Sequence, residues 1–120
     1  MSNKAKYLVN CQDGENNLEH ATIKFILAAT ASKTHETAVF ITSFATDLMV
    51  KGAADGLAHD NLEPIADLIA QYLGNGGKIW VCPVCVTSKG LTADDFIEGV
   101  EIAGAPKTME YLATGGMLLH

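Results

Sequence analysis

The sequence contains no arginine. All eight of its basic residues are lysines, and they face 14 acidic residues, which gives a formal net charge of −6. Recognition of phosphates and guanine edges relies largely on the arginine guanidinium, and an acidic chain lacks the counterion-release term that drives non-specific binding to nucleic acids. Nucleic acid is therefore not an expected partner.

Cysteine is sparse, and long apolar runs are missing. Three cysteines are an odd, small count that does not suit the disulfide framework of a small secreted domain. The longest apolar segments, such as residues 25–29, are much shorter than the ~20 residues of a membrane-spanning helix. No signal-peptide apolar region follows the polar residues 1–6. We expect a cytoplasmic protein with reduced thiols and no membrane span.

The composition is that of a globular domain. The chain has 120 residues, of which 48% are hydrophobic and 18% charged. This apolar content excludes a disordered chain, and the length suits one hydrophobic core.

Short apolar segments alternate with segments of helical periodicity. The periodicity predicts helices over residues 18–30, 62–73 and 106–112, a short helix or turn over 46–51, and a helix start at Thr92. We predict strands over residues 7–9, 38–42, 79–81, 100–103 and 117–119. This alternation indicates an α/β fold with a mostly parallel, five-stranded sheet.

Ligands and catalytic groups of parallel sheets gather beyond the carboxyl ends of the strands. This rule selects the loops 10–17, 42–46 and 82–89. We name Cys11, Ser43, Pro83 and Lys89 as candidate crevice residues within them. If the first and third strands were neighbours, Cys11 would open onto the same crevice as the third loop. The alternative is that Cys11 is a core residue that ends a strand.

Cys82 is the strongest candidate for a reactive residue. It lies where a buried strand ends and a helix begins, with Pro83 at the first helical position. Unpaired N–H groups at a helix start favour the thiolate, which is the nucleophilic form. The alternative is that Cys82 is simply a small buried hydrophobic residue.

Cys85 follows one helical turn later, so the two sulfurs share a face and could form a disulfide or bind a metal. A structural zinc site needs four ligands. The remaining two ligands would have to come from Cys11, His20, His35 or His59, none of which forms a second pair at zinc-site spacing.

The Gly74–Gly77 segment ends a helix and cannot serve as a phosphate loop, because a phosphate loop precedes a helix. We expect no cofactor and no bound metal.

Segments 48–57, 77–85, 90–92 and 98–105, in this order and spacing, resemble the DsrE/DsrF-like (DsrEFH, TusD-like) family of small sulfur-relay-type proteins. The resemblance implies a single DsrE-like domain over residues 1–120 with a three-layer α/β/α sandwich. It also implies homo-oligomers, as trimers or hexamers, and cytoplasmic sulfur relay through a persulfide on a cysteine after the third strand. Only Cys82 matches that cysteine, whereas Cys85 matches a second cysteine found in some branches of the family.

These observations predict a sulfur carrier or sulfurtransferase. Cys82 would accept sulfane sulfur as a persulfide from a donor protein and pass it to a thiol of an acceptor protein. Cys85 could discharge that persulfide, and Lys89 could add positive charge nearby. Two alternatives stay open: a non-catalytic oligomeric module that binds a small ligand or a protein, and a redox or metal switch formed by Cys82 and Cys85.

Overall fold

Five strands form one sheet in the computed structural model, which describes residues 5–119. Every strand pairing in it is parallel, with the order β4-β3-β2-β1-β5. The predicted α/β class with a five-stranded sheet is thus confirmed. The strands are β1 (Lys6–Cys11), β2 (Thr37–Ile41), β3 (Lys78–Val81), β4 (Val100–Ile102) and β5 (Gly116–Leu119).

The three longest helices lie where the apolar periodicity predicts them, with ends that differ by up to three residues. The helices are α1 (Leu18–Ser32), α2 (Phe44–Leu48), α3 (Ile65–Gly74), α4 (Pro83–Ser88) and α5 (Ala105–Ala113), with 3₁₀ turns at Glu15–Asn17 and Ala93–Asp95. Asn17 caps α1, since its side chain accepts a hydrogen bond of 3.2 Å from the N–H of His20. No helix within residues 5–119 is long and apolar enough to cross a membrane.

The helix predicted to start at Thr92 is only a single 3₁₀ turn. The predicted cap is present, because the Asp95 carboxylate accepts a 2.8 Å hydrogen bond from the N–H of Thr92. The turn ends because Phe96 is extended and buried, and it forms an antiparallel bridge with Val50. Pairing with the segment after α2 therefore replaces further helical hydrogen bonds.

Alternate residues of the central strands pack on opposite faces of the sheet. One face carries the larger core, in which Phe25 of α1 meets Tyr72 of α3 edge-to-face at 6.2 Å. On the other face, Trp80 of β3 packs against Tyr111 of α5 at 5.3 Å. The three central strands supply buried apolar residues to both cores, because helices cover both faces of the sheet. Full burial of each large side chain contributes about 1.5–3 kcal/mol.

Candidate functional site

The site is built where β2 and β3 end side by side. The N–H of Cys82 donates a 3.0 Å hydrogen bond to the carbonyl of Ile41, which extends the pairing of the two strands by one residue. Cys82 has an extended backbone (φ −61°, ψ 124°) and Pro83 begins α4, as predicted. The N–H of Val86 then donates to the carbonyl of Cys82 at 3.1 Å and closes the first helical turn. Cys82 is half-buried at this junction.

Cys85 lies on the first turn of α4 and contacts the neighbouring loop. Its sulfur accepts a hydrogen bond of 3.3 Å from the backbone N–H of Ser43, the residue before α2. Two of the three loops predicted to share a crevice, 42–46 and 82–89, are therefore in direct contact. Like Cys82, Cys85 is half-buried and unpaired as a disulfide.

Ser43 has a strained backbone. Its φ of 53° and ψ of −131° lie in a region that favours glycine, and a non-glycine residue there is held by its surroundings. The strained conformation directs the Ser43 N–H toward Cys85. Strain of this kind is concentrated at functional sites, and Ser43 therefore stays a candidate site residue.

Lys89 caps the far end of α4 and returns toward α2. Its ammonium lies 3.0 Å from the Asp47 carboxylate and 5.9 Å from the centre of the Phe44 ring. Asp47 and Phe44 were not predicted as site residues. They occupy one face of α2, and only the tertiary fold brings that face to α4, so no local pattern in the sequence indicates them.

The rim of the site is apolar. Phe44 is 56% exposed and Val84 is 74% exposed, on α2 and α4 respectively. A shallow depression of about 380 Å³ is lined by Pro83, Val84, Thr87 and Ser88. Phe44 and Val84 are thus large apolar side chains left exposed on the two helices that carry the candidate site.

Cys11 does not share this site. β2 lies between β1 and β3, so the first and third strands are not neighbours, and the condition under which Cys11 would face the same crevice as Cys82 is not met. The Cys11 side chain is completely buried and its thiol contacts the carbonyl of Asp13 at 3.5 Å. Burial raises the pKa of Cys11 to about 11, although the charge of Lys24 opposes the shift.

The histidines considered as zinc ligands lie elsewhere. His20 pairs with Asp13 at 3.6 Å, His59 lies 3.9 Å from Glu19, and His35 bonds to its neighbour Thr34 at 2.8 Å. Among residues 5–119 there is no group of three or more potential ligands that could hold a metal ion. In this described part of the chain, Cys82 and Cys85 therefore have no third potential metal ligand grouped with them.

A family model matches nearly the whole chain. The model is that of the DsrE/DsrF-like family, and the match covers residues 5–120. An archaeal relative, the uncharacterized protein MJ0760 of Methanocaldococcus jannaschii, is 33% identical over 101 residues, which is 83% of this chain. The match covers only 37% of the length of that relative.

Solved structures of low sequence identity have the same fold. The ychN protein from E. coli superposes with a TM-score of 0.76 at 16% identity, over 97% of this chain and 99% of that one. MTH1491 from Methanobacterium thermoautotrophicum, a protein of unknown function, gives a TM-score of 0.68 at 12% identity over 98% of both chains. At these identities the similarity establishes the fold alone.

Proposed function

This chain belongs to the DsrE/DsrF-like family, which is related to sulfur relay, and we propose that it is a sulfur carrier that binds sulfane sulfur as a persulfide on Cys82. The persulfide sulfur then passes to a thiol of a partner protein. In this proposal the sulfur comes from a donor protein and is delivered to an acceptor protein, and no cofactor takes part.

The position of Cys82 is the observation that carries the proposal. Cys82 follows the third strand and begins the turn into α4, in the position expected of the family's persulfide cysteine. It is half-buried, whereas Cys11 is completely buried. A persulfide carrier needs a thiol that a partner can approach and a wall that keeps water from the bound sulfur. The half-buried position of Cys82 at the junction of β3 and α4 supports such a role.

The transfer consists of two exchanges of the same kind. The Cys82 thiolate attacks the outer sulfur of a donor persulfide, R–S–SH. The S–S bond of the donor breaks, the donor leaves as its thiol, and Cys82 becomes a persulfide. An acceptor thiolate then attacks the outer sulfur of that persulfide and restores the Cys82 thiol. Neither step changes the overall oxidation state, so no redox partner is required.

Cys85 provides a second route. It lies one turn after Cys82, and the Ser43 N–H holds its sulfur at 3.3 Å. A Cys85 thiolate that attacked the inner sulfur of the Cys82 persulfide would release hydrosulfide and form a Cys82–Cys85 disulfide. An external dithiol reductant would then restore both thiols and become oxidised itself. In this role Cys85 discharges the carrier when no acceptor is bound.

We propose that the donor and acceptor proteins dock on the exposed rim formed by Phe44 and Val84. The Lys89–Asp47 pair lies at the same rim and gives it a polar contact of defined geometry. We further propose that the protein acts in the cytoplasm, where thiols remain reduced. Assembly into homo-trimers or hexamers is part of the same proposal and follows from the family.

Intact-mass spectrometry after incubation with sodium polysulfide tests the proposal. We expect the reduced protein to gain the mass of one sulfur atom. The gain should be lost in Cys82→Ser and retained in Cys11→Ser, which serves as the matched control because Cys11 is buried. In Cys85→Ser the persulfide should persist longer. If none of the three thiols gains sulfur, the sulfur-carrier proposal fails, and a non-catalytic binding module or a dithiol switch takes its place.

The spacing of Cys82 and Cys85 favours a second candidate, a dithiol switch. Two thiols one turn apart at a helix start can cycle between the dithiol and disulfide forms without any persulfide. Oxidation by diamide followed by mass mapping distinguishes the two functions. A switch forms a Cys82–Cys85 disulfide with a defined reduction potential yet gains no sulfur from polysulfide.

A further inference from the structure

A second cavity lies at the opposite end of the sheet from the cysteines. It is a groove of about 590 Å³ between α5 and the starts of β3 and β4. Lys78, the first residue of β3, lines it, whereas Cys82 follows the last residue of that strand. The volume is within the range of about 300–1,000 Å³ that is typical of small-molecule sites.

Two buried hydrogen-bond donors belong to residues that line the groove. The Trp80 side chain is 2% exposed and that of Tyr111 is 7% exposed. No residue within the described part of the chain forms a hydrogen bond with the Trp80 Nε1–H, whereas the Tyr111 hydroxyl has the Glu36 carboxylate nearby as a weak acceptor. Buried donors in folded proteins nearly always have a partner, so the Trp80 Nε1–H indicates a missing one.

The Tyr111 hydroxyl keeps its proton at neutral pH. Burial raises the pKa of Tyr111 above its ordinary value, and the nearby Glu36 carboxylate raises it further. The hydroxyl therefore offers an O–H donor, and the indole Nε1–H is a donor only. The Trp80 Nε1–H calls for an acceptor, and a ligand oxygen can also accept from the Tyr111 hydroxyl in place of Glu36.

Lysine side chains cover the two aromatic rings. The Lys6 ammonium lies 4.4 Å from the centre of the Tyr111 ring, and the Lys107 ammonium lies 5.3 Å from that of Trp80. Lys107 also pairs with Glu101 at 2.8 Å, and both side chains are substantially exposed. The half-buried Lys6 donates a 2.8 Å hydrogen bond to the Thr114 hydroxyl. Surface contacts of this kind contribute little, so both lysines can move aside and open the donors to a ligand.

The charges of the groove cancel. Three lysines and three glutamates line it, so the net charge does not select for an anion or a cation. The Trp80 and Tyr111 donors are then the selective feature. The charged residues are Lys6, Lys78, Lys107, Glu36, Glu101 and Glu110.

We propose that this groove binds a small organic molecule whose carbonyl or carboxylate oxygen accepts hydrogen bonds from Trp80 Nε1 and the Tyr111 hydroxyl. The apolar body of the molecule lies along Leu73 and Ile79, which line the same groove. The site is independent of sulfur transfer, because it contains neither Cys82 nor Cys85.

Trp80 makes the test direct, since it is the only tryptophan in the chain. Its fluorescence is followed while benzoate, benzamide or benzylamine is added up to millimolar concentration. Benzoate and benzamide both carry a carbonyl-type acceptor, whereas benzylamine has the same ring and none. We expect a saturable change with benzoate or benzamide and no saturable change with benzylamine. Benzoate alone would identify a carboxylate ligand, and benzamide alone a neutral one.

Tyr111→Phe is the decisive variant, because it removes the hydroxyl and leaves the ring against Trp80. We expect about tenfold weaker binding from the loss of one hydrogen bond. Calorimetric titration of Trp80→Phe gives a second, fluorescence-independent measurement, with weaker binding again expected.

Three results would overturn the inference: no saturable response to benzoate and benzamide, equal binding of benzylamine, or unchanged affinity in Tyr111→Phe. The Cys82→Ser and Cys85→Ser variants should bind as the parent does. Failure of sulfur loading therefore leaves the groove proposal standing, and failure of the groove leaves sulfur transfer standing.

Discussion

The backbone N–H of Ser43 donates a hydrogen bond of 3.3 Å to the sulfur of Cys85, which lies 42 residues further along the chain. The contact joins the turn after β2 to the first turn of α4. It exists because Ser43 has a φ of 53°, which orients its N–H toward the sulfur. Strain at one residue therefore positions the thiol of another.

Ser43→Gly tests this relationship. Glycine adopts the conformation of Ser43 without strain and keeps the donating N–H. We expect the free energy of unfolding to rise by about 1 kcal/mol, because strain of this kind costs more than the added flexibility of the unfolded chain. Urea denaturation measures the change.

Ser43→Ala is the matched control, since it retains both the strain and the N–H. It should change the free energy of unfolding by less than about 0.5 kcal/mol. If the glycine variant were no more stable than the alanine variant, the backbone of Ser43 would not be strained.

The sheet could be predicted from the sequence because its signals are local. The apolar run 38–42 and the helical periodicity of 62–73 correspond to β2 and α3, with shifts of one to three residues at the ends. The junction at Cys82 was predictable for the same reason, since a strand, a cysteine and Pro83 are consecutive.

The remaining features depend on tertiary contacts. The strand order, which separates Cys11 from Cys82, is determined by the packing of helices on the sheet. The contact of Lys89 with Asp47 depends on how two short helices meet. The groove at Trp80 could not be predicted from the sequence, because no sequence pattern indicates that a buried hydrogen-bond donor will lack an acceptor.

The buried thiol of Cys11 predicts a loss of stability in alkali. Its pKa is about 11 in the folded protein against an ordinary value of 9.0. Below pH 9 the thiol is protonated in both states and contributes no pH dependence. Between pH 9 and 11 the unfolded chain loses the proton first, so the free energy of unfolding falls, by up to about 3 kcal/mol.

Urea denaturation at pH 8 and pH 10.5 checks this expectation. Tyrosines also titrate in this range, so the comparison is with Cys11→Val, which fills the same apolar site without a thiol. Between pH 8 and pH 10.5 the free energy of unfolding should fall more for the parent than for Cys11→Val. An identical fall in both proteins would contradict the burial of an ionisable thiol.

Gly104 lies against the start of α4. A Cβ added to Gly104 would lie 3.0 Å from Cδ of Pro83, the first residue of α4. Gly104→Ala must therefore displace Pro83 and, with it, Cys82. We expect a loss of about 1–2 kcal/mol in the free energy of unfolding and a changed rate of Cys82 alkylation by iodoacetamide.

Gly74→Ala is the control for this prediction. Gly74 is the last residue of α3, and nothing lies within 4 Å of a Cβ added there. That variant should be at least as stable as the parent and should leave the alkylation rate of Cys82 unchanged. An unchanged rate in Gly104→Ala as well would show that α4 tolerates displacement without effect on the thiol.

The Lys89–Asp47 pair predicts opposite effects of two substitutions on sulfur loading. The pair is exposed, with 28% and 58% of the two side chains accessible, so each substitution should cost less than about 1 kcal/mol of stability. Polysulfide is an anion and is attracted by the Lys89 ammonium, which Asp47 partly neutralises. Lys89→Gln should therefore slow persulfide formation on Cys82 by a few-fold, and Asp47→Asn should accelerate it. Both effects should shrink as salt is raised, because surface charges are screened.

The rates are measured at low and high salt by stopping the reaction at intervals and determining the mass of the protein. Equal rates in both variants at low salt would show that Lys89 does not influence persulfide formation on Cys82.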